Sequence, residues 1–394
     1  MSNTGLLTNS CCTACGADRL KEVISIPDVP VHCNQLWTTE TGACAAPRSN
    51  IQLRFCTQCG HFWNAAFEPE LMEYTQDYEN SLHFSPRFQE YAARLAARLV
   101  ERYDLRAKDI IEIGSGQGDF LALLCELGGN RGVGFDPSYT GRTEDHTQPV
   151  SFVRDFYSEK YAGYPADFIC SRHVLEHIHY PAEFLAMVRR VIGKREHIIT
   201  FFEVPNALFT LRELGIWDII YEHCSYFTPH SLTQVFSRNG FQMLETHETF
   251  GGQFLTIEAR PGVRASAIEN LAELKQMEVE ADQFAGHYRD KIQSWQRRLE
   301  HLVEKGQRAV VWGAGSKGVT FLNVLKAHLA IEYVVDINPR KHGMYVAGSG
   351  QAIVAPEFLK TCPPQAVIIM NANYKAEIQQ RLQALDVDAD IVLA

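Results

Sequence analysis

Residues 109–120 read Asp-Ile-Ile-Glu-Ile-Gly-Ser-Gly-Gln-Gly-Asp-Phe. A short apolar run carrying Glu112 leads into Gly114, Gly116 and Gly118, and an apolar helical pattern begins at Phe120. That pattern predicts a strand passing through a glycine turn into a helix, so main-chain amides and a helix N-terminus face whatever binds there. A dinucleotide fingerprint needs its third glycine at position 119, and Asp119 stands there instead. Asp136 ends the next strand, where a carboxylate accepts the hydroxyls of a ribose. Asp155, after the third strand, is a candidate for an adenine amino group. His173 opens the stretch Ser171–Ile178 at the carboxyl edge, where open sheets bind ligands.

Two further groups of residues suggest chemistry. Tyr221, Glu222, His223 and Tyr226 place a base, a carboxylate and two phenols within six residues. An imidazole accepts a proton near neutral pH, and a nearby carboxylate can fix its tautomer. Asn206, at the end of a predicted strand just upstream, is a candidate for the substrate. The second group is Cys12 with Cys15 and Cys56 with Cys59, each C-x-x-C pair followed by glycine. Four thiolates in two such knuckles suit structural Zn2+, closed and without an open position for chemistry. Cys11 competes with Cys12 by position, although only Cys12 gives the two-residue gap.

The elements that must position these groups follow from the pattern. Residues 1–65 read as the zinc-binding module, with short strands near Val31-His32 and Ile51–Phe55. Residues 66–105 form a helical connector in which Phe88, Tyr91, Leu95 and Leu99 share a face, preceded by a polar-aromatic segment containing Tyr78. Residues 106–262 alternate strands and helices, as in a parallel sheet. Residues 263–305 read as one or two linking helices, and 306–394 as a second, smaller α/β unit. The 394 residues, 46% apolar and 21% charged, fit a multidomain globular chain. A net charge of −10 argues against nucleic acid as a partner. The chain lacks an apolar run of membrane-spanning length and a signal-peptide pattern, so no membrane association and a cytoplasmic location are expected. Oligomeric state cannot be read.

An acidic residue before glycines spaced by two resembles the first motif of class I S-adenosylmethionine (SAM) methyltransferases. The whole order is similar to the SAM-dependent sugar C-methyltransferases of deoxysugar biosynthesis. It comprises paired Cys-x-x-Cys-Gly units, the methyltransferase core, Glu-His-x-x-Tyr-Phe, and a C-terminal unit with Gly-Ala-Gly-Ser-Lys-Gly and Val-Val-Asp-Ile-Asn-Pro-Arg-Lys-His-Gly. The resemblance implies an α/β fold: a class I SAM methyltransferase Rossmann-like sheet, an N-terminal zinc module and a smaller C-terminal Rossmann-like domain. It implies SAM as cofactor, held by Glu112, Gly114, Gly116, Gly118, Asp136, Asp155 and His173, and a nucleotide-linked ketosugar as the small-molecule substrate. The family's base lies in a Tyr-His-Glu-His motif whose last two residues match Glu222 and His223, while Ile220 and Tyr221 replace the first two. By that resemblance His223 removes a proton alpha to a ketone, and Tyr78, Tyr221 or Tyr226 steadies the resulting oxyanion.

Rival readings remain at this level. Residues 313–318 satisfy G-x-G-x-x-G after a strand, with Asp336 about twenty residues on, which is the pattern of an NAD-dependent oxidoreductase. Lys317 in that loop suits a phosphate of the substrate. The acceptor could equally be an oxygen, nitrogen or carbon of a metabolite other than a sugar, and a zinc-bearing binding module would use the same fold as scaffold.

Overall fold

The structure, a computed structural model, describes residues 10–72, 78–141, 149–262, 271–327 and 330–394. Near the N-terminus β1 (Leu20–Pro30), β2 (Arg48–Cys56) and β3 (Phe62–Asn64) form an antiparallel meander. In β2 the alternate residues Ile51, Leu53 and Phe55 point inward and are buried, as a one-sided antiparallel sheet requires. The first strand precedes Val31-His32, where one was expected. Its sequence, Leu-Lys-Glu-Val-Ile-Ser-Ile-Pro-Asp-Val-Pro, is broken by bulges that blur the alternation.

The central sheet contains β4 (Asp109–Ile113), β5 (Arg131–Phe135), β6 (Val150–Val153), β7 (Phe168–Arg172) and β8 (Ile199–Pro205). After the short β9 (Ser225–Tyr226) come β10 (Phe241–Thr249) and β11 (Phe254–Pro261). The order is β10-β11-β8-β7-β4-β5-β6, and β11 runs antiparallel to both its neighbours. This reversed seventh strand, inserted before the sixth, departs from the dinucleotide order, which ends at six strands. β7 is buried along its whole length, as expected of a strand covered on both faces. β10 was not anticipated because its sequence, Phe-Gln-Met-Leu-Glu-Thr-His-Glu-Thr, is polar and lies at the sheet edge.

The helix Pro86–Arg102 starts with Pro at its first turn and with Ser85 Oγ accepting the Phe88 N–H at 3.3 Å. It buries Phe88, Ala92, Leu95, Ala96 and Leu99. C-terminally, β12 (Ala309–Trp312), β13 (Ile331–Val335), β14 (Ala352–Val354), β15 (Ala366–Ile369) and β16 (Asp390–Leu393) form a wholly parallel sheet in the order β14-β13-β12-β15-β16.

The units do not pack as separate bodies. β9, from the middle of the chain, completes the N-terminal sheet by pairing with β3, Tyr226 opposite Phe62 and Ser225 opposite Trp63. Of the residues expected to link the lobes, those described form one unbroken helix, Leu271–Glu304, whose buried stripe runs through Met277, Ala281, Phe284, Tyr288, Trp295 and Leu299. Its first half reaches β1 through Lys21, whose Nζ lies 3.0 Å from Glu278 and 2.6 Å from Asp282. Its second half meets the C-terminal lobe, where Phe321 sits edge-on to both Trp295 and Trp217, with ring centroids at 5.1 and 4.8 Å. One apolar core therefore joins the N-terminal sheet, the long helix and the C-terminal lobe. Trp295→Ala is expected to cost about 3–5 kcal/mol and to lower a single denaturant transition seen alike by tryptophan fluorescence and circular dichroism. A C-terminal lobe that melts separately would contradict the shared core.

Candidate active site

The glycine loop sits at the carboxyl edge between β4 and the helix Asp119–Gly128. Gly114 and Gly118 have φ of 70° and 89°, and a Cβ on them would meet Val174 Cγ2 at 2.1 Å and Phe152 Cζ at 2.2 Å. Gly116 has φ of 54°, and a Cβ there would meet nothing within 4 Å, so this is the open face of the loop. Its N–H donates to Asp136 Oδ2 at 2.7 Å, while Asp136 Oδ1 accepts from Ser138 N and Oγ at 2.8 and 2.6 Å. The carboxylate is thereby fixed at the end of β5, and a lone pair remains on Oδ2 for a ribose hydroxyl. An open glycine turn beside an anchored carboxylate fits the nucleoside end of SAM.

Glu112 lies beneath this loop and not on it. It is 3% exposed, accepts the Leu121 N–H in the first turn of the helix, and leaves Oε2 without a partner. Burial pushes its carboxyl up to about 8. Asp155 also departs from its expected role. Oδ1 accepts the Phe156 N–H at 2.8 Å, and Oδ2 takes Tyr161 Oη at 2.6 Å together with Lys160. His173 is held in a cluster at the ends of β7 and β8, with Nε2 3.0 Å from Glu203 Oε1 and Nδ1 3.5 Å from Glu176. Burial alone would lower its pKa, but the Glu176 and Glu203 carboxylates outweigh that and hold it up to about 9. Arg172 reaches the same Glu203 oxygen at 2.8 and 3.0 Å. Burial opposes ionisation of Glu203, yet Arg172 and His173 keep its carboxyl down at about 2.

The segment 217–228 lies across this edge, pinned from three directions. β9 holds it to the N-terminal sheet. Glu222, fully buried, accepts Cys33 N–H at 2.7 Å on Oε1 and Tyr78 Oη at 2.9 Å on Oε2, with Asn34 Nδ2 at 3.4 Å. From the C-terminal lobe Lys317 Nζ reaches Asp218 Oδ2 at 2.8 Å. The His223 ring donates to the Asp218 backbone carbonyl and crosses the His177 ring at 4.9 Å. Burial, then His173 and Lys317, lower His223 to about 3; burial, then His223, lower His177 to about 4. Both imidazoles are neutral at working pH and carry a lone pair.

This geometry changes several expected roles. The tautomer of His223 is set by a backbone carbonyl and not by Glu222, whose oxygens serve the N-terminal module. Tyr226 Oη donates to Ile220 O at 3.0 Å and accepts from Ile220 N at 3.1 Å. Tyr221 Oη accepts the Glu68 N–H at 2.8 Å. The Tyr226 hydroxyl is thus spent on the backbone, the Tyr221 oxygen is tied to a backbone N–H, and Tyr78 is the phenol that donates to Glu222. Asn206 caps the helix Ala207–Arg212 through Leu208 N and donates to Gly252 O at 2.9 Å, which leaves it no free group for substrate. Asn34 and Asp218 went unnoticed because their roles depend on contacts between distant segments. Of the segment expected to reach into the site, residues 74–77 lie outside those described.

The four sulfurs converge, with Cys12 Sγ 3.6 Å from Cys59 Sγ and Cys15 Sγ 3.6 Å from Cys56 Sγ. That is close to the edge of about 3.8 Å in a sulfur tetrahedron around a zinc-sized ion, so the set can hold a metal. Cys11 is not part of it. The two knuckles match, Gly16 N–H donating to Cys12 O at 2.8 Å and Gly60 N–H to Cys56 O at 2.9 Å.

At the second glycine loop Asp336 accepts Ala314 N–H and Asn338 N–H, both at 2.8 Å, and buried Lys341 donates to Ala314 O at 3.0 Å. Residues 33–36 pack beside it, leaving a cavity of about 10 Å³, no larger than a water molecule needs. The ribose end of a dinucleotide does not fit this cavity, although Gly313 and Gly315 leave the face of the loop itself open.

The raised carboxyl of Glu112 gives a test of the loop. Its protonated form stabilises the fold fully below the unfolded value near 4.5, and that stability is lost as pH rises through about 8. Glu112→Gln should match wild type at pH 4.5 and gain roughly 1.4 kcal/mol per pH unit above it, levelling near pH 8, in urea unfolding. Parallel curves at every pH would show that Glu112 is ionised in the native loop.

Residues 87–246 match the family model described as a methyltransferase domain, and residues 248–393 the model described as a C-methyltransferase C-terminal domain. C-methyltransferase NovU of Streptomyces niveus is 25% identical, over 93% of this chain and 90% of that protein. Among solved structures, magnesium protoporphyrin IX methyltransferase (ChlM) of Synechocystis PCC 6803 aligns with 47% of this chain and 90% of its own, at 16% identity and TM-score 0.36. The 1,6-didemethyltoxoflavin-N1-methyltransferase of Burkholderia thailandensis aligns with 44% of this chain and 80% of its own, at 17% identity and TM-score 0.33. With a methyltransferase core running directly into the C-terminal unit particular to carbon methylation, and a relative similar along nearly its whole length, the chain belongs to the SAM-dependent C-methyltransferase family.

Proposed function

We propose that the acceptor is a nucleotide-linked keto-deoxysugar and that His223 is the base that activates it. The observation that carries this reading is a neutral imidazole where all three units meet, on a turn whose Glu222 is held by the Tyr78 phenol and whose Asp218 is held by the Lys317 ammonium. SAM, when bound, supplies an electrophilic methyl group, so the difficult step left to the protein is loss of a proton from carbon. His223 takes the proton alpha to the ketone through the ring nitrogen that does not face Asp218. Tyr78, whose single O–H rests on Glu222, turns it from that carboxylate to the developing enolate oxygen. Lys317 ties the C-terminal lobe to the His223 turn through Asp218 and adds positive charge on the side from which an anionic nucleotide would approach. Bound SAM would supply the methyl to the enolate carbon, its sulfur keeping the electron pair of the broken bond, and His223 releases the proton to solvent.

A panel of nucleotide-linked 4-keto and 3,4-diketo deoxysugars, assayed for SAM consumption with product mass and methyl position, tests the substrate. A new carbon-bound methyl is expected. No turnover alongside tight SAM binding would move the acceptor outside the sugars. His223→Ala should lose methylation and solvent exchange of the alpha proton together, by ~10²–10⁴-fold. Exchange near wild type would remove His223 as the base.

We further propose that Cys12, Cys15, Cys56 and Cys59 hold zinc in a closed structural site. Thr228 Oγ1 donates to Gly60 O at 3.2 Å, so the knuckle is fastened to the turn following β9. Chelation should lower the melting temperature and activity in step. Loss of methyl transfer with an unchanged melting curve would instead give the metal a part in the chemistry.

A further inference from the structure

We propose that Glu176, His177 and His223 form a second metal site, one for a divalent transition-metal cation at the methyl-transfer edge. Their ligand atoms lie within 4.8 Å of one another. Glu176 is 1% exposed, and neither carboxylate oxygen accepts a hydrogen bond; His173 Nδ1, at 3.5 Å, is its charged neighbour. The His173 cation offsets part of the cost of burying this carboxylate but leaves its oxygens without hydrogen bonds, and the methyl-transfer chemistry gives Glu176 no task. The two imidazoles are arranged as metal ligands usually are. His177 Nδ1 lies 2.9 Å from the Glu222 carbonyl, which can only accept, so the ring proton is on Nδ1 and the lone pair on Nε2. His223 is likewise held by the Asp218 carbonyl. Carbonyls that fix the tautomer in this way are the usual outer shell of a metal-binding histidine.

Three protein ligands leave a position for water or a substrate oxygen, unlike the closed sulfur site. Two imidazoles and one carboxylate suit cobalt, nickel or zinc better than magnesium or calcium, which prefer oxygen throughout. The site also differs from the cysteine cluster in its donor atoms, and that makes the two separable by spectroscopy. A cation here takes the lone pair that His223 needs as a base, so a filled site and proton abstraction exclude each other. That consequence rests on the base reading; the binding itself does not.

The test is titration of the full chain, its cysteine site already loaded with zinc, with Co2+. One further ion per chain is expected, with visible d–d bands and without the near-ultraviolet thiolate charge-transfer band. Glu176→Gln and His177→Gln should each weaken binding by at least the ~10–100-fold that loss of an outer-shell partner costs, with zinc content and circular dichroism unchanged. Uptake accompanied only by the thiolate band, or unaltered affinity in both variants, overturns the site. Turnover should fall as the ion binds, and Glu176→Gln should need correspondingly more Co2+ for the same loss. Binding that leaves turnover untouched would keep the site and overturn His223 as the base.

Discussion

A carboxylate as deeply buried as that of Glu222 persists only if its oxygens are hydrogen-bonded, and here every named partner comes from outside its own segment. Cys33 and Asn34 approach from the N-terminal module and Tyr78 from the connector. Burial pushes the Glu222 carboxyl up, against the pull of these donors. The residue next to it is His223. Fixing Glu222 therefore fixes the backbone from which the imidazole projects, and the turn takes its position from segments far apart in sequence. The Lys317–Asp218 pair and the β3–β9 ladder then settle the remaining freedom of that turn.

The same logic explains the chain's architecture. An open α/β sheet offers a binding edge but leaves it exposed to water. Here the N-terminal sheet, the residues around Tyr78 and the C-terminal lobe all converge on that edge. Glu79 continues the link one residue beyond Tyr78, since Asn338 Nδ2 and Arg340 donate to it at 3.1 and 3.0 Å. The strap that supplies a phenol to Glu222 is thus also fastened to the second α/β unit. For the enolate chemistry proposed above, a low-dielectric, preorganised environment is what would make a weak donor effective.

The parts legible in the sequence were those in which local geometry dictates residue type. The glycines at 114, 116 and 118 and the paired cysteine knuckles need particular residues at fixed spacing, so they could be read directly. The strands buried on both faces declared themselves as apolar runs. Less legible were features decided by tertiary partners. Tyr221 and Tyr226 lie in the segment expected to carry the chemistry, but their hydroxyls meet backbone groups that no local pattern announces. Asn206 turned out to be a helix cap, a role its position at a strand end disguised. Glu112 and Asp155 kept their places at strand ends, while their hydrogen bonds turned them toward the protein itself. The polar edge strand β10 carried no periodicity strong enough to mark it.

The pairing of β9 with β3 has a consequence for how the protein is made. While the chain is still emerging from the ribosome, β3 presents an open edge, because Ser225 and Tyr226 are synthesised only after most of the central sheet. At about 5–20 residues per second that leaves the edge unpaired for roughly ten seconds or more. An exposed edge strand is a template for pairing with other chains. Early capture of an ion by the cysteine knuckles, one of which joins β2 to β3 and both of which need only residues already made, would keep that hairpin short and fixed during the wait.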